Sequence, residues 1–218
     1  MAKVFLSAGH GGTDPGARAN GLKEKDINLN ALLACKAELE RHGVAVVASR
    51  TTDADDPVQD EVKEANASGA DIAVSFHANA GGGDGFEAFY WSTDANGKKL
   101  AQLCEKHVKA MGQNSRGCKA GDHLMFINST NMTAVLIESF FLDNANDKAI
   151  GDTVAEQQAF GVAYAKAILE YLGIAYKSAA QESNGTDKDA DVYQIIRGIK
   201  DDVAELKKVL EAVKGALR

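Results

Sequence analysis

As far as about residue 174, short runs of β-branched and aromatic residues alternate with longer stretches whose apolar positions recur every three or four residues. That alternation predicts an α/β domain in which helices cover a largely parallel sheet. The first strand is "KVFLSA" at 3–8. A helix follows over 26–43, with Asp26 capping its start, Leu29, Leu32, Leu33, Cys35 and Leu39 forming the buried stripe, and Gly43 ending it. A strand at 44–49 and a helix at 58–70 come next. The unbroken apolar run "DIAVSF" at 71–76 reads as a central strand buried on both faces, and the alternating "GFEAFYW" at 85–91 as another strand. A helix over 96–111, strands "HLMFI" at 123–127 and "AVLIESFF" at 134–141, and a last helix over 153–172 complete the pattern. The expected architecture of residues 1–175 is a single twisted, mostly parallel sheet flanked by helices.

Beyond that the chain changes character. "KSAAQESNGTDKDAD" is polar and aperiodic, which predicts a flexible linker over 176–190. Val192, Ile196, Ile199, Val203, Leu206, Leu210, Val213 and Leu217 then follow at alternating spacings of four and three, the seam of a coiled-coil-type helix over 191–218. Ile195 and Val209 widen the seam, which favours more than two helices. The helix is expected to join copies of this chain into a homo-oligomer, or to serve as a targeting module; the plainer alternative is a helix laid on the first domain.

At 218 residues and 45% hydrophobic the chain supports one core of ordinary size with some length to spare. Its net charge of -7 argues against holding nucleic acid or an anionic membrane by bulk electrostatics. No run approaches the ~20 apolar residues of a membrane span, so no membrane insertion is expected. "MAKVFLSAGHGG" breaks into glycine before a secretory apolar region forms, so synthesis in the cytoplasm without a signal peptide is expected. Cys35, Cys104 and Cys118 are scattered and odd in number, so neither a disulfide framework nor a thiolate zinc site is indicated.

Three polar residues stand where an α/β sheet binds ligands, at the carboxyl ends of its strands. His10 follows the first strand inside "VFLSAGHGGTDPGA", His77 follows "DIAVSF", and Glu138 closes the apolar run "AVLIE". A carboxylate at the end of a core strand is costly unless a cation or hydrogen bonds compensate it. Two imidazoles and a carboxylate with one position left open suit a catalytic zinc ion, and Glu24, in the loop "NGLKEKD", is the candidate for a further ligand. Each residue also has a plain reading: a hydrogen-bonded loop histidine, or a solvated glutamate between Lys23 and Lys25. The glycines lack the spacing of a phosphate loop. His42 suits a helix C-terminus, His107 lies within an amphipathic helix, and His123 is left open.

Taken together, "VFLSAGHGGTDPGA", "GLKEKDINLN", "SFHANA" with "GFEAFYW" after it, and "AVLIESFFLDN" resemble the zinc-dependent N-acetylmuramoyl-L-alanine amidases of the amidase-3 family, over about 4–173. The resemblance implies zinc held by His10, Glu24 and His77, with Glu138 as the catalytic residue and Asn79 supporting the site or meeting substrate. It implies a peptidoglycan hydrolase that cuts the amide between N-acetylmuramic acid and L-alanine, with zinc-activated water as nucleophile. The absence of a signal peptide fits a phage endolysin, made in the cytoplasm and acting on the wall after release. A proline that commonly begins the last strand in this family is missing from "NMTAVLIE". The rival readings are a zinc carboxypeptidase or deacylase with the same site, and a non-enzymatic wall-binding scaffold.

The heptad seam makes a prediction independent of the chemistry. Leu206→Asp, at its centre, should dissociate an assembly built through 191–218 without loss of bound metal. Sedimentation of full-length and truncated chains checks it, and a monomer in both refutes self-association.

Overall fold

The computed structural model describes residues 2–178, and the expected heptad helix and most of the expected linker lie outside them. In chain order the elements are β1 (Lys3–Ala8), the two-residue strands β2 (Arg18–Ala19) and β3 (Leu22–Lys23), α1 (Glu24–Arg41), β4 (Ala45–Ala48), α2 (Val58–Ser68) and β5 (Ile72–Asn79). There follow β6 (Phe86–Tyr90), α3 (Ala95–Lys109), β7 (Ser115–Ala120), α4 (Met125–Ser129), β8 (Thr133–Phe141), α5 (Ala145–Gly151) and α6 (Val154–Tyr171). The main sheet has the order β4-β1-β5-β8-β6-β7. Its first four strands are parallel, while β6 runs antiparallel to β8 and parallel to β7. The sheet is therefore mostly parallel, as expected, with a reversed pair at one edge.

Strand pleating sends alternate side chains to opposite layers. Val4, Leu6, Val74, Phe76, Val135 and Ile137 face the layer of α1, α3 and α6. Phe5, Ala73, Ala134 and Leu136 face α2 and α4. Residues 72–76 of β5 are buried on both faces, which is why that strand reads as an unbroken apolar run. Asp94 and Thr153 cap α3 and α6, the latter in a reciprocal capping box with Glu156. Tyr176 stays docked on the first layer, its ring stacked on His42 at 5.1 Å. Among the described residues no helix is long and apolar enough to cross a membrane.

Three local expectations are corrected. The helix expected from Asp26 begins at Glu24, because the amides of Glu24 and Lys25 bond to the carbonyls of Ala17 and Pro15; Asp26 lies exposed in its first turn and caps nothing. Its buried stripe is accordingly Ile27, Ala31, Leu32, Cys35 and Leu39, with Leu33 at the surface. "HLMFI" is not a strand: a turn from Gly121 to Leu124 leads into the short helix α4, which buries the adjacent Phe126 and Ile127. The strand in that region is β7, an edge strand of sequence "SRGCKA" with no apolar run to announce it. The β2–β3 hairpin and α5 were not indicated by periodicity either.

Helices α1 and α6 approach so closely that a Cβ on Gly161 would lie 2.1 Å from the carbonyl oxygen of Ala31. Backbone cannot yield as a flexible side chain does. Gly161→Ala should therefore destabilise the fold by about 1–3 kcal/mol through overpacking, despite alanine's higher helix propensity. Chemical denaturation measures this, and a gain in stability would show that the helix pair relaxes freely.

Candidate metal centre

Parallel pairing of Ser7 with Ser75 and of Ala8 with Phe76 brings the ends of β1 and β5 together. The residues that follow, His10 and His77, meet with ring centroids 5.3 Å apart, edge to face. Gly9 makes the approach possible. Its amide bonds to the Phe76 carbonyl at 3.0 Å, and a Cβ there would fall 2.1 Å from the His77 ring.

His10 itself has φ 66°, a left-handed conformation that costs free energy and must be held by its surroundings. The buried Arg50 does much of the holding. Its Nε donates to the Ala8 carbonyl (2.9 Å) and its Nη2 to that of Lys25 (2.8 Å), joining the end of β1 to the start of α1. Asn28 donates to the Gly9 carbonyl at 2.9 Å. Lys25 reaches the Gly12 carbonyl (2.8 Å) and Asp53 (2.6 Å), while Asp53 accepts from the Gly12 amide. The lysine that made Glu24 look solvated is thus a buried clamp on the histidine loop.

Glu24 is not in a loop but opens α1, and it is only 5% exposed. Its Oε2 lies 3.2 Å from His10 Nε2 and accepts from the Ala17 amide at 2.9 Å. Its Oε1 lies 2.9 Å from His77 Nδ1 and accepts from the Ala78 amide at 3.3 Å. Burial alone would raise the pKa of Glu24, but the hydrogen bonds and charges of the two imidazoles outweigh it and hold the carboxyl well below its usual range. In return the Glu24 hydrogen bond lifts His10, against desolvation, to about 9. His77 is raised too, its burial outweighed by Glu24 and neighbouring carboxylates. One donor atom from each of the three residues falls within 4.8 Å of the others. The cradle draws positive charge, and its two imidazoles and one carboxylate are the donor set of a divalent transition metal.

Glu138 lies on β8 directly opposite His77. Its Oε2 is buried with no hydrogen-bond partner, and burial, only partly offset by His77, lifts its pKa to about 7. An uncompensated carboxylate oxygen beside a three-donor cradle is costly unless something else occupies the space between them. Asn79, the fifth expected residue, makes no hydrogen bond to the triad; its side-chain amide reaches Glu87 at 3.4 Å. His42 and His107 bond to the Glu38 carbonyl and to Glu170, and the exposed His123 sits edge-on to Phe89, none of them in the cluster.

Two features escape the sequence reading. Asp14 lies 2.7 Å from His10 Nδ1, so it can fix the ring with Nε2 facing the cradle, the usual arrangement for a metal-binding histidine. Its spacing of four from His10 was the available signal. A cavity of about 260 Å³ also opens beside His10 and His77, walled by Val58 of α2, Met125 and Phe126 of α4, and Leu136. Glu61, whose carboxyl is raised by burial, lines the same space.

The family model described as N-acetylmuramoyl-L-alanine amidase, Amidase_3, matches residues 4–170. The chain is 39% identical over 196 residues to the endolysin of Bacillus phage SPP1, covering 85% of this chain and 71% of the relative. It is 35% identical over 187 residues to the N-acetylmuramoyl-L-alanine amidase CwlM of Bacillus licheniformis, covering 81% and 74%. Among solved structures, the catalytic domain of the N-acetylmuramoyl-L-alanine amidase CwlV from Bacillus (Paenibacillus) polymyxa var. colistinus superimposes with a TM-score of 0.74 at 31% identity, covering 80% of this chain and 100% of that one.

The raised His10 pKa carries a sign. Folded at about 9 against an ordinary 6.5, the imidazolium contributes stability that is complete below pH 6.5 and lost as the pH rises through 9. In chelator-treated protein the melting temperature should fall across that window, and Glu24→Gln should flatten the fall. A pH-independent melting temperature from 6.5 to 9 would contradict the coupling.

Proposed function

The chain belongs to the N-acetylmuramoyl-L-alanine amidase family, and from that membership we propose that His10, Glu24 and His77 hold a catalytic zinc ion while Glu138 moves the proton. The enzyme hydrolyses the amide joining N-acetylmuramic acid to the L-alanine of the peptidoglycan stem. A family match over 4–170 does not favour a carboxypeptidase, a deacylase or a non-enzymatic scaffold.

One observation carries the assignment of residues: two imidazoles from separate segments converge on the buried Glu24 carboxylate, with the unpaired Glu138 oxygen on the adjoining strand. Two nitrogens and one oxygen suit zinc better than magnesium or calcium, which prefer all-oxygen sites. Three protein ligands with one position open are the pattern of a catalytic rather than a structural zinc site. When bound, zinc supplies a Lewis acid that polarises the scissile carbonyl and lowers the pKa of water toward 7.

The chain's own groups supply the rest. Asp14 keeps the His10 ring in one tautomer, and the Arg50 and Lys25 clamps hold the loop in its left-handed turn. Glu138, with a proton affinity near neutrality and a free oxygen, accepts a proton from the attacking water and returns it to the departing L-alanine amine. The apolar walls of the adjoining cavity exclude water from one side of the reacting bond and offer a surface to the substrate. The likeness to a phage endolysin supports lysis of a bacterial wall as the setting, with peptidoglycan as the partner.

Glu138→Gln keeps shape and hydrogen-bonding capacity but not the ability to take a proton. Zinc content should remain about one per chain while turnover on purified walls falls by roughly 10²- to 10⁴-fold. His10→Ala and His77→Ala should lose metal and activity together, as should chelation of the wild type. Elemental analysis alongside release of L-alanine amino termini measures both; a fully active, zinc-loaded Glu138→Gln protein would place the base elsewhere.

A further inference from the structure

Glu138 has a second carboxylate as its direct antiparallel partner, Glu87 on β6. Like charges so placed repel, and the two are treated unequally. Glu138 keeps an unpartnered oxygen, whereas Glu87, 5% exposed, accepts through Oε1 from Arg116 Nε (2.6 Å) and from Lys119 Nζ, and through Oε2 from Asn79.

A kink in the edge strand delivers Arg116. Phe86 pairs with Ser115 but Ala88 pairs with Cys118, so Arg116 and Gly117 together oppose the single residue Glu87, and Gly117 takes up the extra length at φ 88°. Such bulges are rare between parallel strands and are used to re-aim side chains beside active sites. The guanidinium lies over the ring of Phe141, 5.3 Å from its centroid, on the strand that carries Glu138. Only Nε is engaged. Among the described residues the guanidinium makes no other hydrogen bond, and its side chain is 45% exposed. The result is a planar cationic fork pinned by Glu87 and Phe141, its Nη edge open, with the half-exposed ammonium of Lys119 beside it.

We propose that Arg116, assisted by Lys119, receives the free α-carboxylate of the second residue of the stem peptide, one peptide unit beyond the bond that Glu138 acts on. The inference rests on the amidase reading above. In a peptidoglycan stem the second residue is a glutamate joined onward through its side chain, so its α-carboxylate remains on the peptide as a charged group. In an extended stem that carboxylate lies roughly 6–7 Å from the scissile nitrogen. Strand β7 lies two strand spacings from β8, ~10 Å, and the Arg116 side chain leans back over Phe141 to close the difference. A guanidinium matches a carboxylate with two parallel hydrogen bonds, which an ammonium or an amide cannot reproduce. On a chain of net charge -7, an anionic substrate also needs a local cation to offset the general repulsion.

The test uses two soluble N-acetylmuramoyl tetrapeptides that differ only in carrying an α-carboxylate or an α-carboxamide on the second residue, and the full-length zinc-loaded chain. Wild type should favour the carboxylate by about tenfold in kcat/KM, the worth of a charge-assisted pair over a neutral one. Arg116→Gln should bring the ratio to about 1, and Arg116→Lys, which keeps the charge beside Glu87 but loses the fork, to a value between. A merely structural Arg116 would lower both rates together and leave the ratio where it was. A wild-type ratio of about 1, or a wild-type preference that survives in Arg116→Gln, overturns the proposal; should that variant not fold, an unchanged ratio in Arg116→Lys does so. Failure of wild type to release an L-alanine amino terminus from either substrate overturns the amidase reading and this inference with it, and is told apart from lost selectivity by the absence of product.

Discussion

Burying a carboxylate costs several kcal/mol unless charge and hydrogen bonds replace the water it loses, and Glu24 meets that condition with both of its oxygens. Each oxygen takes one backbone amide and one imidazole, from Ala17 and His10 on one side and from Ala78 and His77 on the other. That single group thereby links the loop after β1, the first turn of α1 and the end of β5. Its place at the head of α1 also explains why that helix begins where it does: the chain must fold back through the Ala17 and Pro15 carbonyls for the carboxylate to reach the histidines. A cation bound at this point would satisfy the same three groups that now satisfy one another.

Around that centre the sheet separates two kinds of carboxylate chemistry. Glu87 is surrounded by cations and held below its ordinary pKa by Lys119 and Arg116 in spite of burial, while Glu138, its cross-strand partner, is denied them and pushed upward. Carboxylates whose surroundings drive their proton affinities apart are a means by which one site both stores and moves a proton near neutrality. The difference is made by neighbours on β7, an edge strand that shares no sequence motif with the triad.

Much of this was legible in the chain and some of it was not, for identifiable reasons. The strands β1, β5 and β8 declare themselves because burial on both faces demands apolar runs, and a polar residue closing such a run is conspicuous; His10, His77 and Glu138 stand out in this way. Glu24 is a candidate in the sequence but a less conspicuous one, because its lysine neighbours suggest solvent when Lys25 in fact points inward to Gly12 and Asp53. Strand β7 and its bulge are invisible to period-two patterning, because an edge strand needs no apolar run and the inserted residue shifts the alternation. α4 reads as a strand in the sequence because Leu124, Met125, Phe126 and Ile127 form a short apolar run that suits either element, and only the turn at Gly121 decides.

The bulge at Arg116 and Gly117 has a second effect, unrelated to catalysis. Strand β7 ends the sheet, and an open strand edge is a template on which another chain can pair and seed aggregation. Proteins blunt such edges with kinks and with charges that resist a neighbouring strand, and β7 carries both: a misaligned residue that interrupts its ladder, and two cations, Arg116 and Lys119, along six residues. Straightening this strand to gain regular pairing would therefore expose a continuous, adhesive border. The irregularity that aims the Arg116 guanidinium at Glu87 and Phe141 also opposes edge-to-edge pairing, so removing it would make the protein more prone to associate at high concentration.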